Sequence, residues 1–484
     1  MNVSLESVGK GLRIAGGWRV AKDGSELQVV DPGKEAPLSR VADAGVEDAM
    51  AALEAAQAAG PKWAATPPRE RGEVLRRTFE AMIRQQDAIA RLITLENGKS
   101  LGEAKAEVAY AAEFLRWFSE EAVRIHGELY TSPSASSRIV VMRQPIGVTL
   151  AITPWNFPAA MATRKVGPAL AAGCSVILKP AGETPLTALA MAELFEEAGL
   201  PPGVLNVLPA SRERSVALVT ALLKDTRVRK LSFTGSTETG RVLLAQAAQN
   251  IVKCSMELGG NAPFIVFADA DLDNAVSSAI VAKLRNGGQS CTAANRFYAE
   301  RPIAEEFARR LAGAMREMKV GYGMDEGVQI GPLINEATRG KVSSLVEQAI
   351  GGGARALCGA EAPKGKGFFY QPTVLTGVQD DMAIMRREIF GPVAPIVTFE
   401  TEDQAVAMAN RTDMGLVSFI HTKDIGRGLR LSERIESGMV GLNRGLVSEP
   451  AAPFGGWKQS GVGREGSHEG ILEYLETKYI ATQW

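Results

Sequence analysis

Histidine is scarce in this chain: three in 484 residues, His126, His421 and His468, too few for a His-rich metal site. Cysteine is hardly commoner. Cys174, Cys254, Cys291 and Cys358 lie far apart with no C-x-x-C, so neither zinc-site spacing nor a disulfide framework is suggested, and no metal is expected. A surplus of either charge is also missing. Lys plus Arg number 54 and Asp plus Glu 55, so nothing electrostatic favours nucleic acid or an anionic membrane. No run approaches the ~18 apolar residues of a membrane span, and "MNVSLESVGKGLRIAGGW" lacks the apolar centre of a secretory signal. The expected compartment is therefore the reducing cytoplasm. What remains, 45% hydrophobic and 23% charged, is the composition of an ordinary globular enzyme, and the length suggests about three units on a ~150-residue prior.

Periodicity supplies the fold class. Residues 47–60 and 67–96 read as amphipathic helices, the second opening on Pro67-Pro68 and closing at Asn97-Gly98. From residue 147 short apolar runs recur at 147–155, 175–180, 203–209, 230–236 and 251–260, with helical stretches at about 159–170, 185–198, 214–223 and 238–249. Strands and helices alternating at this spacing predict a parallel, doubly wound α/β sheet with its ligands at the C-terminal strand ends. A second α/β block starts at "NAPFIVF" (261–267) and continues past "FGPVAPIVTFE" (390–400). The glycine-rich 351–369 reads as a turn and exposed loop. Segments 137–145 and 473–484, rich in β-branched and aromatic residues, are candidate arms for pairing with another subunit.

Several motifs carry chemistry. In "RNGGQSCTAANR" (285–296), Cys291 stands among Gly287, Gly288, Ser290 and Ala293, which leave room for a substrate carbon; alone it reads equally well as an ordinary loop cysteine. "MELGGNAP" (256–263) sets Glu257 at a strand end between apolar residues. Burial there raises a carboxyl towards general-base range, with a turn-capping role as the alternative. "TPWNFP" (153–158) fixes Asn156 between prolines, suited to an oxyanion donor or simply to an Asx turn. "LKPAGETP" (178–185) and "FTGSTETG" (233–240) place Lys179 and Gly235-Ser236 at strand ends that open helices, suited to polyphosphate or ribose. "REIFGPV" (387–393) adds Glu388 beside Phe390.

Taken together and in this order, with "PFGGWKQSGVGREGS" (453–467), these motifs resemble the NAD(P)-dependent aldehyde dehydrogenase superfamily from about residue 12 to the end. The resemblance implies a Rossmann-type cofactor domain (1–122 and 146–255), an α/β catalytic domain (256–445) and a small β oligomerisation arm with bridging segments (123–145 and 446–484). It implies Cys291 as nucleophile, Glu257 as general base, and Asn156 with the Cys291 N–H as oxyanion hole. Lys179 and Glu388 would hold the two riboses. Thr153, Pro154, Trp155, Gly182, Gly235, Ser236, Leu258 and Phe390 would line the cofactor site, in a homodimer or homotetramer. A cysteine hydrolase would need a histidine near the thiol, and none sits in a recognisable motif. A non-catalytic relative would not need Cys291, Glu257 and Asn156 together.

Arg164, just after the oxyanion segment, Arg285, six residues before the nucleophile, and Ser448 resemble the carboxylate clamp of succinate-semialdehyde dehydrogenases. The alternative is that either arginine pairs with an internal acid. Succinate semialdehyde is the expected substrate; glutarate semialdehyde, one methylene longer, is not separated from it by sequence. Gly182 stands where many NAD-preferring relatives carry Glu, with Glu183 one position later, so NADP is expected to serve at least as well as NAD. Ala293 replaces the second cysteine of a redox switch, whose absence is expected.

Overall fold

The computed structural model describes residues 3–483. Its first sheet has eight strands, in spatial order Gly17–Arg19, Leu12–Ile14, Leu205–Val207, Val176–Lys179, Val148–Ile152, Val228–Thr234, Lys253–Glu257 and Gly461–Val462. The five from Leu205–Val207 to Lys253–Glu257 are mutually parallel. Chain order reverses between Val148–Ile152 and its neighbour Val228–Thr234, so the expected ligand crevice opens there. Alternation along each strand builds two cores. Val176 and Leu178 join Ala151 on one face, and Ile177 joins Val148, Leu150 and Ile152 on the other.

The second sheet has seven strands, in the order Arg355–Cys358, Thr373–Thr376, Val393–Phe399, Ala294–Glu300, Ala262–Val266, Val417–His421 and Met439–Leu442. All pairs but the first are parallel. Residues 258–261 therefore run from the C-terminal end of a first-sheet strand to the N-terminal end of a second-sheet strand, between the two sheets. The doubly wound α/β class read from periodicity is the observed one.

Three local readings are corrected by the structure. The first helix does not stop at Gly60; Val46–Ala65 runs through Pro61 because Trp63 is buried and its Nε1 donates to the Leu170 carbonyl at 3.1 Å. That docking offsets a helix-interior proline cost of about 3 kcal/mol. The helix read over 67–96 is two, Pro68–Arg84 and Gln86–Asn97, and the second ends on left-handed Gly98. The loop read over 351–369 contains the strand Arg355–Cys358. The two candidate arms lie side by side in one small sheet: Arg138–Pro145 and Leu475–Thr482 are antiparallel over eight residues, with the exposed Glu128–Thr131 as third strand. No described helix is long and apolar enough to cross a membrane.

Candidate active site

At the strand-order reversal lies a cavity of about 940 Å³. All the residues expected to contact cofactor line it: Thr153, Pro154 and Trp155 after one strand, Lys179 and Gly182 after the next, Gly235 and Ser236 after a third, then Leu258, Glu388 and Phe390. Cys291 and Asn156 lie on the same wall. Trp155 and Phe390 meet edge to face with centroids 5.5 Å apart. Ser236 caps the helix Thr237–Ala247 by accepting the Thr239 N–H, and the buried Thr234 hydroxyl has no partner among the described residues. An unpaired hydroxyl and a helix N-terminus on an elongated cavity suit a phosphate-bearing dinucleotide. Burial lowers the Lys179 ammonium to about 8 against Glu183 and Asp43, and raises the Glu388 carboxyl to about 7. Glu388 accepts the Gly260 N–H at 3.2 Å.

Cys291 follows an unusual turn. Asn286, Gly287 and Gly288 all take positive φ (53°, 60° and 78°). This coil places the thiol just before the strand Ala294–Glu300, where a Cβ on Gly260 would come within 2.5 Å of the Cys291 carbonyl oxygen. That close approach explains the Gly-Gly after Glu257: only a bare backbone lets the inter-sheet link pass the nucleophile loop. Burial pushes the half-buried Cys291 thiol up to about 12, with Arg164 opposing and Glu257 reinforcing the shift.

Asn156 is buried and its Nδ2 donates to the Gln289 carbonyl at 3.1 Å, two residues before the thiol. One amide hydrogen is thereby engaged and the second is left for another acceptor. Glu257 ends its strand 2% exposed, and neither carboxylate oxygen has a partner among the described residues. Burial, then Glu465, raises its carboxyl well above the usual range, while Arg164, Lys165 and Arg464 oppose. A buried acid without partners that nonetheless persists is the expected environment of a general base. It is not on the cavity wall that carries Cys291, although the two groups act on each other electrostatically.

The two arginines part company. Arg164, 1% exposed, makes an ion pair at 2.5 Å with Glu465, which also holds Lys165. Its guanidinium sits 4.1 Å over the Phe454 ring. For Arg164 the internal-acid alternative is thus the observed one, and the unpaired cation expected there is corrected. Burial works to raise the Glu465 carboxyl, but Lys165 and Arg164 hold it below the usual range. Arg285 instead has no ion pair among the described residues; it lies over the rings of Phe157 (4.7 Å) and Tyr110 (5.5 Å). Burial raises the Tyr110 hydroxyl above its ordinary value, with Arg164, Arg285 and Ser448 opposing. Tyr110 and Glu465 were missed by sequence reasoning. The only signal available for Glu465 was its place inside the quoted "GVGREGS"; Tyr110, on the unread helix Leu101–Glu121, offered none. The described residues hold no cluster of three or more His, Cys, Asp or Glu able to bind a metal.

Comparison with known proteins agrees with this geometry. The sequence model described as the aldehyde dehydrogenase family matches residues 18–480. A succinate-semialdehyde dehydrogenase of Paenarthrobacter nicotinovorans is 53% identical, over 92% of this chain and 98% of the relative. A glutarate-semialdehyde dehydrogenase of Pseudomonas putida is 49% identical over 96% of each chain. A crystal structure of an Escherichia coli NADP-dependent enzyme superposes with a TM-score of 0.97 at 48% identity, covering 99% of this chain and 98% of that one.

Proposed function

This chain belongs to the aldehyde dehydrogenase family, oxidising an aldehyde with NAD(P)+, and we propose that its substrate is succinate semialdehyde, converted to succinate. The observation that carries the choice is Arg285, a cation that makes no ion pair among the described residues and lies over the rings of Phe157 and Tyr110. A guanidinium held on aromatic faces matches a planar anion, and a carboxylate at the far end of the aldehyde supplies one. Arg164, paired with Glu465, is the less available of the two guanidinium groups.

In this reading the Cys291 thiol gives its proton to solvent water, the sulfur bonds to the aldehyde carbon, and the carbonyl π pair moves to the oxygen, which becomes an alkoxide. The free Asn156 amide hydrogen and the Cys291 N–H, which makes no hydrogen bond among the described residues, stabilise it. A bound nicotinamide would supply the acceptor for the hydride that this carbon loses. The remaining thioester on Cys291 is hydrolysed by water that Glu257 deprotonates. Lys179 and Glu388, which both line the cavity, would hold the ribose hydroxyls of the dinucleotide.

Replacing Arg285 by alanine is expected to lower kcat/KM for succinate semialdehyde roughly 100-fold, the scale of a lost guanidinium–carboxylate pair. For butanal the change is expected to stay below about threefold, since no carboxylate is lost. Equal losses on the two aldehydes would reject the anion-binding role. A parallel C4 and C5 semialdehyde series distinguishes succinate from glutarate semialdehyde.

NADP use at least equal to NAD is supported by two features. No carboxylate occupies position 182, and the exposed Arg212 lines the same cavity at the N-terminus of the helix Arg212–Lys224. Arg212→Ala is expected to raise KM for NADP+ about five- to tenfold and to leave NAD+ within about twofold, because only NADP carries the 2′-phosphate. An unchanged ratio would show that Arg212 does not meet that phosphate. Gly182→Glu is a poorer probe, since a Cβ there lies 3.1 Å from the Ala210 carbonyl oxygen. We propose a homodimer or homotetramer, a reading supported by the exposed three-stranded sheet with Leu129, Tyr130 and Tyr479 at its surface.

A further inference from the structure

We propose that Lys99 and Asn286 are positioning residues for the oxyanion amide of Asn156, a reading that rests on the dehydrogenase mechanism above. Neither touches substrate or thiol. Both donate to one atom, the main-chain oxygen of Asn156: Lys99 Nζ at 2.7 Å and Asn286 Nδ2 at 2.8 Å. The carbonyl behind the catalytic amide is therefore held from two sides by buried donors. Lys99 is 1% and Asn286 2% exposed.

The hold continues in both directions along the chain. Asn97, two residues before Lys99, donates its Nδ2 to the Trp155 carbonyl at 3.0 Å. One short turn after the helix Gln86–Asn97 thus grips two successive carbonyls of the oxyanion segment. Lys99 also pairs with Glu107 at 2.5 Å, both side chains fully buried. The other Glu107 oxygen accepts the Ala159 and Ala160 N–H groups at 2.9 and 3.4 Å, in the first turn of the helix Pro158–Ala172. On the nucleophile side, Asn286 Nδ2 also reaches the Gln289 carbonyl (3.3 Å), the group that engages the Asn156 amide. Asn286 is itself held through its N–H by Glu103 Oε1 at 2.6 Å.

A buried lysine needs a reason to be there, because a buried ion pair is at best a weak source of stability. A helix N-terminus could be capped by Glu107 alone. Asn286 in a left-handed conformation is likewise a costlier choice than glycine unless its amide is used. The shared acceptor supplies the reason for both. An oxyanion donor must sit where charge develops, and displacement on the order of 1 Å costs up to about 100-fold in rate.

The test compares wild type with two variants. Lys99→Met/Glu107→Gln removes both charges together, so no uncompensated ion is left inside. Asn286→Gly keeps the positive φ unstrained and removes the side-chain donor, and it tests the same hold if the double variant does not fold. In each, kcat is expected to fall about tenfold or more, with KM for aldehyde and nicotinamide within about twofold and iodoacetamide alkylation of Cys291 unchanged. In an Asn156→Ala background, where the positioned amide is gone, the same changes are expected to cost less than about twofold further. A folded variant with kcat within twofold of wild type overturns the proposal. So do losses that persist in full without Asn156, or alkylation that slows in step with kcat, since the thiol seat would then be what moved. Wild-type protein that forms no reduced nicotinamide overturns the dehydrogenase reading and this role with it; an active wild type with unaltered variants overturns the positioning role alone.

Discussion

Cys291→Ala is expected to abolish aldehyde-dependent formation of reduced nicotinamide, a loss of at least about 10⁴-fold, the scale on which covalent enzymes lose rate with their nucleophile. No second thiol stands by to replace it. Cys174 is buried in the core of the first sheet and donates to the Tyr474 carbonyl; Cys254 lies on the strand Lys253–Glu257, and Cys358 on the far edge strand of the second sheet. Dinucleotide binding, followed by quenching of protein fluorescence, should survive because the cavity is lined from three other strand ends. Activity above 1% of wild type in the absorbance assay would remove Cys291 from the mechanism. The comparison also separates chemistry from folding, since the half-buried thiol lies on a loop before the Ala294–Glu300 strand rather than within a core.

Glu257→Gln should lower steady-state turnover by about 10²- to 10⁴-fold, the range for a lost general base. A burst of one reduced nicotinamide per site should remain, because carbon–sulfur bond formation and hydride departure come before hydrolysis. A pH dependence follows from the same carboxyl. Burial and Glu465 raise it well above the ordinary carboxylate range, so it is protonated and inactive as a base at low pH. Turnover should therefore rise as pH climbs through that raised value. In Glu257→Gln, rapid-quench kinetics should show this limb gone from the hydrolysis step. A full turnover rate in the variant, or loss of the burst together with turnover, would place Glu257 elsewhere in the reaction.

Much of the site was legible because its residues are short-range statements about backbone. Pro154 and Pro158 around Asn156, Gly259-Gly260 after Glu257, and Gly287-Gly288 before Cys291 each declare a turn or a close approach. The cavity accordingly contains every residue expected to contact cofactor. The substrate end was less legible. Arg164 and Arg285 looked equivalent in sequence, yet one lies against Glu465, some 300 residues away, and the other against aromatic faces. The support of Asn156 by Lys99 and Asn286 left no trace, because a lysine in "ENGKS" is ordinarily a solvated turn residue.

Sequence alone determined the α/β class, the strand ends that carry the motifs, and the reactive types: a thiol, an acid and an amide. These follow from periodicity and from the few residues that tolerate special backbone geometry, both local properties. Only the tertiary structure decided which arginine is neutralised, that the helix continues through Pro61, that the two β segments pair with each other, and that Glu257 is buried without a partner among the described residues. Those outcomes depend on which distant groups share a low-dielectric space, where desolvation and pairing outweigh local preference.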